Sequence, residues 1–159
     1  AKGAQVIALA SSEDKRRSAL AAGARHALDS GPGWVERVRA TAPEGVDVAY
    51  DSIGRTLADS MTVTRTGGTV VFYGMAAGDP DPVDPRVLMD RSLTLVGGDL
   101  WNVLTTAQER QRRADRLFAA VRAGQLRVAI AARFPLRDGA QAHALLEGRG
   151  SAGKVLLIP

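Results

Sequence analysis

Strand-like and helix-like stretches alternate along this chain almost without interruption, and that alternation narrows its possible folds more than any other feature. "QVIALA" (5–10) is a short, nearly unbroken apolar run, the pattern of a strand buried on both faces. "SSEDKRRSALAAG" follows, with a serine to cap a helix, Glu13 and Asp14 for its first turn and Gly23 for its stop. "RHALD" reads as a second strand. "PGWVERVRATAPEG" reads as a short helix with Trp34, Val35 and Val38 on its apolar side, and "VDVAYDSIG" as a third strand. "RTLADSMTVTRTGG" predicts a helix ending at Gly67, and "TVVFYG" a fourth strand. "DPDPVDP" suits neither helix nor central strand and must be a loop. "SLTLVGG" reads as a fifth strand. "TTAQERQRRADRLFAAVRAG" is the clearest helix, with Ala107, Ala114, Leu117, Phe118 and Val121 as its buried stripe and Gly124 at its end. "RVAIAARFPL" is strand-like, "RDGAQAHALLEGR" a last helix and "KVLLIP" a last strand. This order predicts an α/β fold built on a doubly wound parallel sheet.

The glycines of "GRGSAGKVLLIP" raise one motif question. Gly148, Gly150 and Gly153 spell G-x-G-x-x-G, and the stretch from Gly148 to Lys154 spells most of a P-loop. Both motifs need a strand before the glycines and a helix after them. Here a helix precedes and a strand follows, so the glycines read as a helix stop and a turn.

With 159 residues, 45% of them hydrophobic and 24% charged, the chain suits a soluble globular domain with a real core. No apolar run approaches a membrane span. There is no cysteine, which excludes disulfides and Cys-based zinc sites within the chain and fits a cytoplasmic location. His26 and His143 stand far apart with no clustered ligands, and so predict no metal site. The formal charge of +4 could suggest nucleic acid. The basic residues are scattered beside acids, however, and aromatics for base stacking are few, so solvated helix faces account for them better.

Several phrases, in order, resemble the C-terminal part of the NADPH:quinone oxidoreductases, in the zinc-free branch of the medium-chain dehydrogenase/reductase superfamily. They are "SALAAGARHALD", "WVERVRATAPEGVDVAYDSIG", "GGTVVFYG", "LFAAVRAGQLRV", "FPLRDGAQAHALLEGR" and "GKVLLIP". The resemblance implies an incomplete dinucleotide-binding domain over 1–136, opening after its first strand and glycine-rich loop. It implies that 137–159 pack on a catalytic domain supplied elsewhere, and that the chain alone is inactive. It also implies NADPH as cofactor, a quinone or an activated alkene as acceptor, and a homodimer built around the edge strand Ser92–Gly98.

Candidate cofactor residues follow. NAD-binding domains place a carboxylate for the ribose 2′-hydroxyl near the end of the second strand. This chain has Ala10, Ser11 and Ser12 there, and hydroxyls accept a 2′-phosphate where a carboxylate would repel it. By the resemblance, Lys15 falls where the family places a lysine on that phosphate, and Ser30 replaces a family tyrosine nearby. Asp29 beside it does not suit a phosphate. The alternative for the serines and Lys15 is a helix cap and a solvated face. Ligands of open α/β sheets sit outside the carboxyl ends of the strands, which brings in Ser52, Tyr73, Gly74 and Met75 at the nicotinamide half. The family has Phe-Gly-Asn where this chain has Tyr73-Gly74-Met75. Arg149 matches a family arginine near the cofactor, or serves as a helix C-terminal cation. No acid/base residue is assigned. Two other functions stay open: an enoyl or alkenal reductase of the same superfamily, and a non-catalytic dimerisation or nucleic-acid-binding module. The mark of the last would be a contiguous arginine face formed by Arg112, Arg113 and Arg116.

Overall fold

The computed structural model describes residues 3–148 and 151–159. The chain runs β1 (Ile7–Ala10), α1 (Glu13–Ala21), β2 (His26–Asp29), α2 (Trp34–Thr41), β3 (Val46–Asp51), α3 (Leu57–Val63), β4 (Thr64–Phe72), α4 (Pro85–Arg91), β5 (Thr94–Gly97), α5 (Leu100–Val103), α6 (Ala107–Arg122), β6 (Ile130–Pro135), α7 (Gly139–Glu147) and β7 (Lys154–Ile158). It forms two compact units, one of Ala1–Asp29 with Thr106–Pro159, the other of Ser30–Thr105. All strand pairings among the described residues are parallel: β1 with β2, β3–β4–β5 in that order, and β6 with β7. The α/β parallel character legible in the alternation is borne out.

In the first unit, β1 and β2 pair from Ile7↔His26 to Ala10↔Asp29, and α1 packs on both. The Ser12 hydroxyl caps α1 by accepting from Lys15 N at 3.4 Å. β1 is not buried on both faces as its apolar run predicts, since Leu9 is 41% exposed. Among the described residues it pairs with one strand only. α6 forms where its period places it, capped by Thr106 Oγ1 on Glu109 N at 3.1 Å. Its predicted stripe is not buried, however, and Leu117 and Phe118 are 56% and 59% exposed. Periodicity sets which face is apolar; burial requires a covering surface. α7 packs on the β6–β7 pair. Helix α7 precedes Gly153 and strand β7 follows it, the order that argues against a phosphate loop.

The second unit holds a small core of Leu57, Met61, Val70 and Leu93, with Ala49, Phe72, Val83, Leu88 and Leu95 packed against it. Leu57 and Met61 are four apart on α3 and therefore share one face. The predicted helix through Gly67 is corrected: α3 stops at Val63 and β4 begins at Thr64. The run Thr62-Val63-Thr64 explains the early exit, because β-branched side chains favour extended backbone. Thr64 Oγ1 donates to Ser60 O at 2.7 Å. The Arg91 guanidinium donates to Met61 O at 2.8 Å and also to Thr64 O, occupying carbonyls at the helix end. Gly67, at φ +73°, lies where the register jumps from Val46↔Thr64 to Val48↔Thr69, so it forms a bulge within β4. α4 and α5 are absent from the sequence reading. Each starts at an aspartate cap, Asp84 on Arg86 N at 2.8 Å and Asp99 on Trp101 N at 2.9 Å, and Pro85 stands in the first turn of α4.

Candidate cofactor site

In the second unit the carboxyl ends of β3 and β4 are joined by their turns. Asp51, the last residue of β3, is 2% exposed. Its Oδ1 accepts from Ile53 N at 2.8 Å and Gly54 N at 3.0 Å. Its Oδ2 accepts from Thr56 Oγ1 at 2.8 Å and Ser60 Oγ at 2.7 Å. Burial is the largest single influence on this carboxyl and pushes its pKa up. The bonds from Ser60, Gly54, Thr56 and Ile53 together outweigh it and hold the pKa below the ordinary aspartate value. A carboxylate with four donors is a fastening, and what it fastens is the turn that begins at Ser52.

That turn is laced to the one after β4. Tyr73 N donates to Asp51 O at 2.9 Å, Ala76 N to Ser52 O at 3.0 Å and Ala77 N to Ile53 O at 2.9 Å. Gly54, at φ +89°, comes so near that a Cβ there would lie 2.1 Å from Gly78 O. Only glycine permits this approach. Gly74 packs on the Ser52 backbone. The result is a rigid ledge that presents Ser52, half-buried, with Tyr73 and Met75 exposed. The Tyr73 ring stands edge-on to Tyr50, 6.5 Å between centroids. Ser52, Tyr73, Gly74 and Met75 thus lie together, as their strand-end positions imply. Arg55, Asp79 and Asp81 line a polar recess in the same unit.

In the first unit, Ser11 and Ser12 are exposed at the end of β1. Ser12 also fills the capping role open to it. Lys15 is half-buried on the first turn of α1. Its neighbours are committed to carboxylates: Arg17 pairs with Glu13 at 2.7 Å and with Asp14, and Arg16 pairs with Asp29 at 2.7 Å. Ser30, the first residue of the other unit, is exposed after β2. Arg149 lies outside the described residues.

The sequence reading left out two side chains that the structure places beside its candidates, Asp51 under the ledge of the second unit and Arg16 at the strand ends of the first. Asp51 precedes Ser-Ile-Gly, the local signature of a side chain that bonds backbone two or three residues on. Arg16 carries no local signal, because its partner is thirteen residues away. Two of the three arginines of the α6 face share one carboxylate. Glu109 takes Arg112 at 2.8 Å and Arg113 at 2.5 Å, and these two bonds hold its carboxyl down to about 2.

Residues 22–157 match the family described as zinc-binding dehydrogenase. This chain belongs to that family. Among zinc-binding dehydrogenases and their kin, a 2-haloacrylate reductase from Burkholderia sp is 38% identical over 99% of this chain and 49% of its own length. Quinone oxidoreductase 1 of Escherichia coli is 33% identical over 100% of the chain and 50% of its own. The crystal structure of Escherichia coli quinone oxidoreductase complexed with NADPH superposes with a TM-score of 0.85 at 32% identity, covering 99% of this chain and 50% of that one. The chain therefore spans about half the length of the curated relatives it matches, and its resemblance to quinone oxidoreductases is upheld. The described side chains offer no holder for the zinc of the family description. The sequence has no cysteine, and among the described residues no group of three or more His, Cys, Asp or Glu is arranged to bind a metal ion.

Proposed function

We propose that this chain is the nucleotide-binding portion of an NADPH-dependent oxidoreductase that reduces quinones. The observation that carries the reading is the fastened ledge at the strand ends, Ser52 with Tyr73–Met75, held by Asp51 and the Gly54–Gly78 contact. Open α/β sheets bind their ligands at such ends. A planar nicotinamide suits a ledge whose backbone is already fixed, because positioning is most of what hydride transfer asks of a protein. Ser11, Ser12 and Lys15 at the end of β1 supply hydroxyls and a cation for a 2′-phosphate, with no carboxylate among them. The NADPH complex of the Escherichia coli relative supports the choice of cofactor. Bound NADPH supplies a hydride, and a quinone that accepts it becomes a delocalised anion that water can protonate.

The test is made on the full-length protein. NADPH should bind more tightly than NADH, and NADPH deuterated at the transferring C4 position should reduce a quinone more slowly than unlabelled NADPH. Quinone reduction should survive exhaustive chelation. Loss of activity on chelation, restored by zinc, would move the protein to a metal-dependent branch of the family.

The 2-haloacrylate reductase, the more identical of the two relatives above, favours a second reading in which the acceptor is an activated carbon–carbon double bond. Quinones and α,β-unsaturated acids compared side by side at equal concentration separate the two readings by kcat/KM.

A further inference from the structure

The Arg16–Asp29 pair is a cofactor-selecting device, we infer, and Arg16 is the residue that makes a 2′-phosphate acceptable beside Asp29. The inference rests on the NADPH reading above. Asp29 ends β2 and Ala10 ends β1, and the two are register partners in a parallel pair. Their carboxyl ends therefore point the same way, toward the edge where dinucleotide folds bind the adenosine ribose. A carboxylate beside that strand end opposes a phosphorylated ribose, since like charges at close range repel.

Arg16 removes that obstacle. Its Nη1 donates to Asp29 Oδ2 at 2.7 Å and to Ala10 O at 3.3 Å, so one guanidinium spans both strand ends. The Arg16 side chain is 25% exposed and that of Asp29 46%, so the pair lies at the surface, where a ligand reaches it, with the arginine the more enclosed partner. A charge-assisted bond of this length neutralises the carboxylate locally. Arg17, the next residue along α1, is turned to Glu13 and Asp14 instead. Arg16 thus positions and masks Asp29, next to Ser11, Ser12 and Lys15, the groups proposed above for the phosphate.

The experiment compares Arg16→Gln, Asp29→Asn and the double variant in the full-length protein. Titration calorimetry is run with 2′,5′-ADP and 5′-AMP as well as with NADPH and NADH, so that binding is read apart from turnover. Arg16→Gln takes the positive charge away from the carboxylate and should weaken 2′,5′-ADP and NADPH about tenfold, with 5′-AMP and NADH within about twofold. Asp29→Asn should bind NADPH as well as the parent or better. The double variant should recover most of what Arg16→Gln loses, which a merely structural salt bridge would not do. Equal weakening of both cofactors by Arg16→Gln overturns the inference. So does an Asp29→Asn variant as weak as Arg16→Gln, or a double variant no better than it, and in these cases the NADPH reading stands. A parent protein that binds neither 2′,5′-ADP nor NADPH sinks the NADPH reading itself, and this inference with it.

Discussion

Asp51 Oδ2 accepts the Ser60 hydroxyl at 2.7 Å, tying the last residue of β3 to the middle of the helix that follows. The same carboxylate holds Thr56 and the backbone of Ile53 and Gly54. One side chain therefore couples the small core under α3 to the ledge proposed to seat the nicotinamide.

Asp51→Asn should lower stability by about 1–3 kcal/mol, the cost of leaving buried donors without an acceptor. The pH dependence has a definite sign. The folded pKa is depressed, so its stabilisation is present above the ordinary aspartate range and is lost as pH falls through the folded value. Thermal melts of the parent should decline below about pH 4, and that part of the decline should be missing in Asp51→Asn. Parallel curves for the two proteins would show that the carboxylate is not the titrating group.

Gly54→Ala brings a Cβ to 2.1 Å from Gly78 O at a backbone φ of +89°. Two independent penalties coincide there, strain and overlap with backbone that cannot step aside. A loss of at least ~2 kcal/mol is expected by denaturant unfolding. If the protein stays folded, its KM for the cofactor should rise with the shift of the Tyr73–Met75 turn. A neutral variant would mean that the two turns part without cost.

The elements legible in the sequence are those whose signals are local. Ser12, Thr106 and Gly124 mark helix ends where caps and a left-handed glycine are found. The apolar runs of β3 and β4 mark strands. What escaped was set by distant partners. The face of α6 at Leu117 and Phe118 is fixed by period, yet its burial depends on what covers it. Arg16 finds Asp29 only because β1 and β2 pair in parallel. Asp51 collects donors from a turn and a helix that the string shows as separate words. α4 escaped although Asp84-Pro85 is a cap followed by a first-turn proline, because "DPDPVDP" reads as loop throughout.

Lys15→Ala tests the phosphate role of the α1 turn. A hydrogen bond to a charged group contributes roughly 1.5–3 kcal/mol, or about ten- to a hundredfold. The KM for NADPH should rise by that factor in the full-length protein while that for NADH barely moves. Equal change in both, or none, would leave Lys15 as part of a helix face and Ser12 as a cap only.

The edge of the second unit carries the last prediction. β5 pairs with β4 alone among the described residues, from Thr69↔Thr94 to Phe72↔Gly97. Leu93 is 8% exposed beneath it, while Val96 on the other face is 41% exposed, so the strand splits its side chains between core and surface as alternation requires. An open parallel edge with backbone donors and acceptors unspent is a template for pairing, and Trp101 just beyond it is 81% exposed. A twofold dimer in which Ser92–Gly98 meets its counterpart would satisfy both the edge and the apolar side chains beside it. Light scattering of the full-length protein should therefore give twice the chain mass. Val96→Lys, which places a charge on that face without disturbing Leu93 or Leu95, should shift the protein toward monomer with little change in its melting temperature at high dilution. A parent that runs as a monomer at every concentration, or a Val96→Lys variant that stays dimeric, would place any self-association elsewhere.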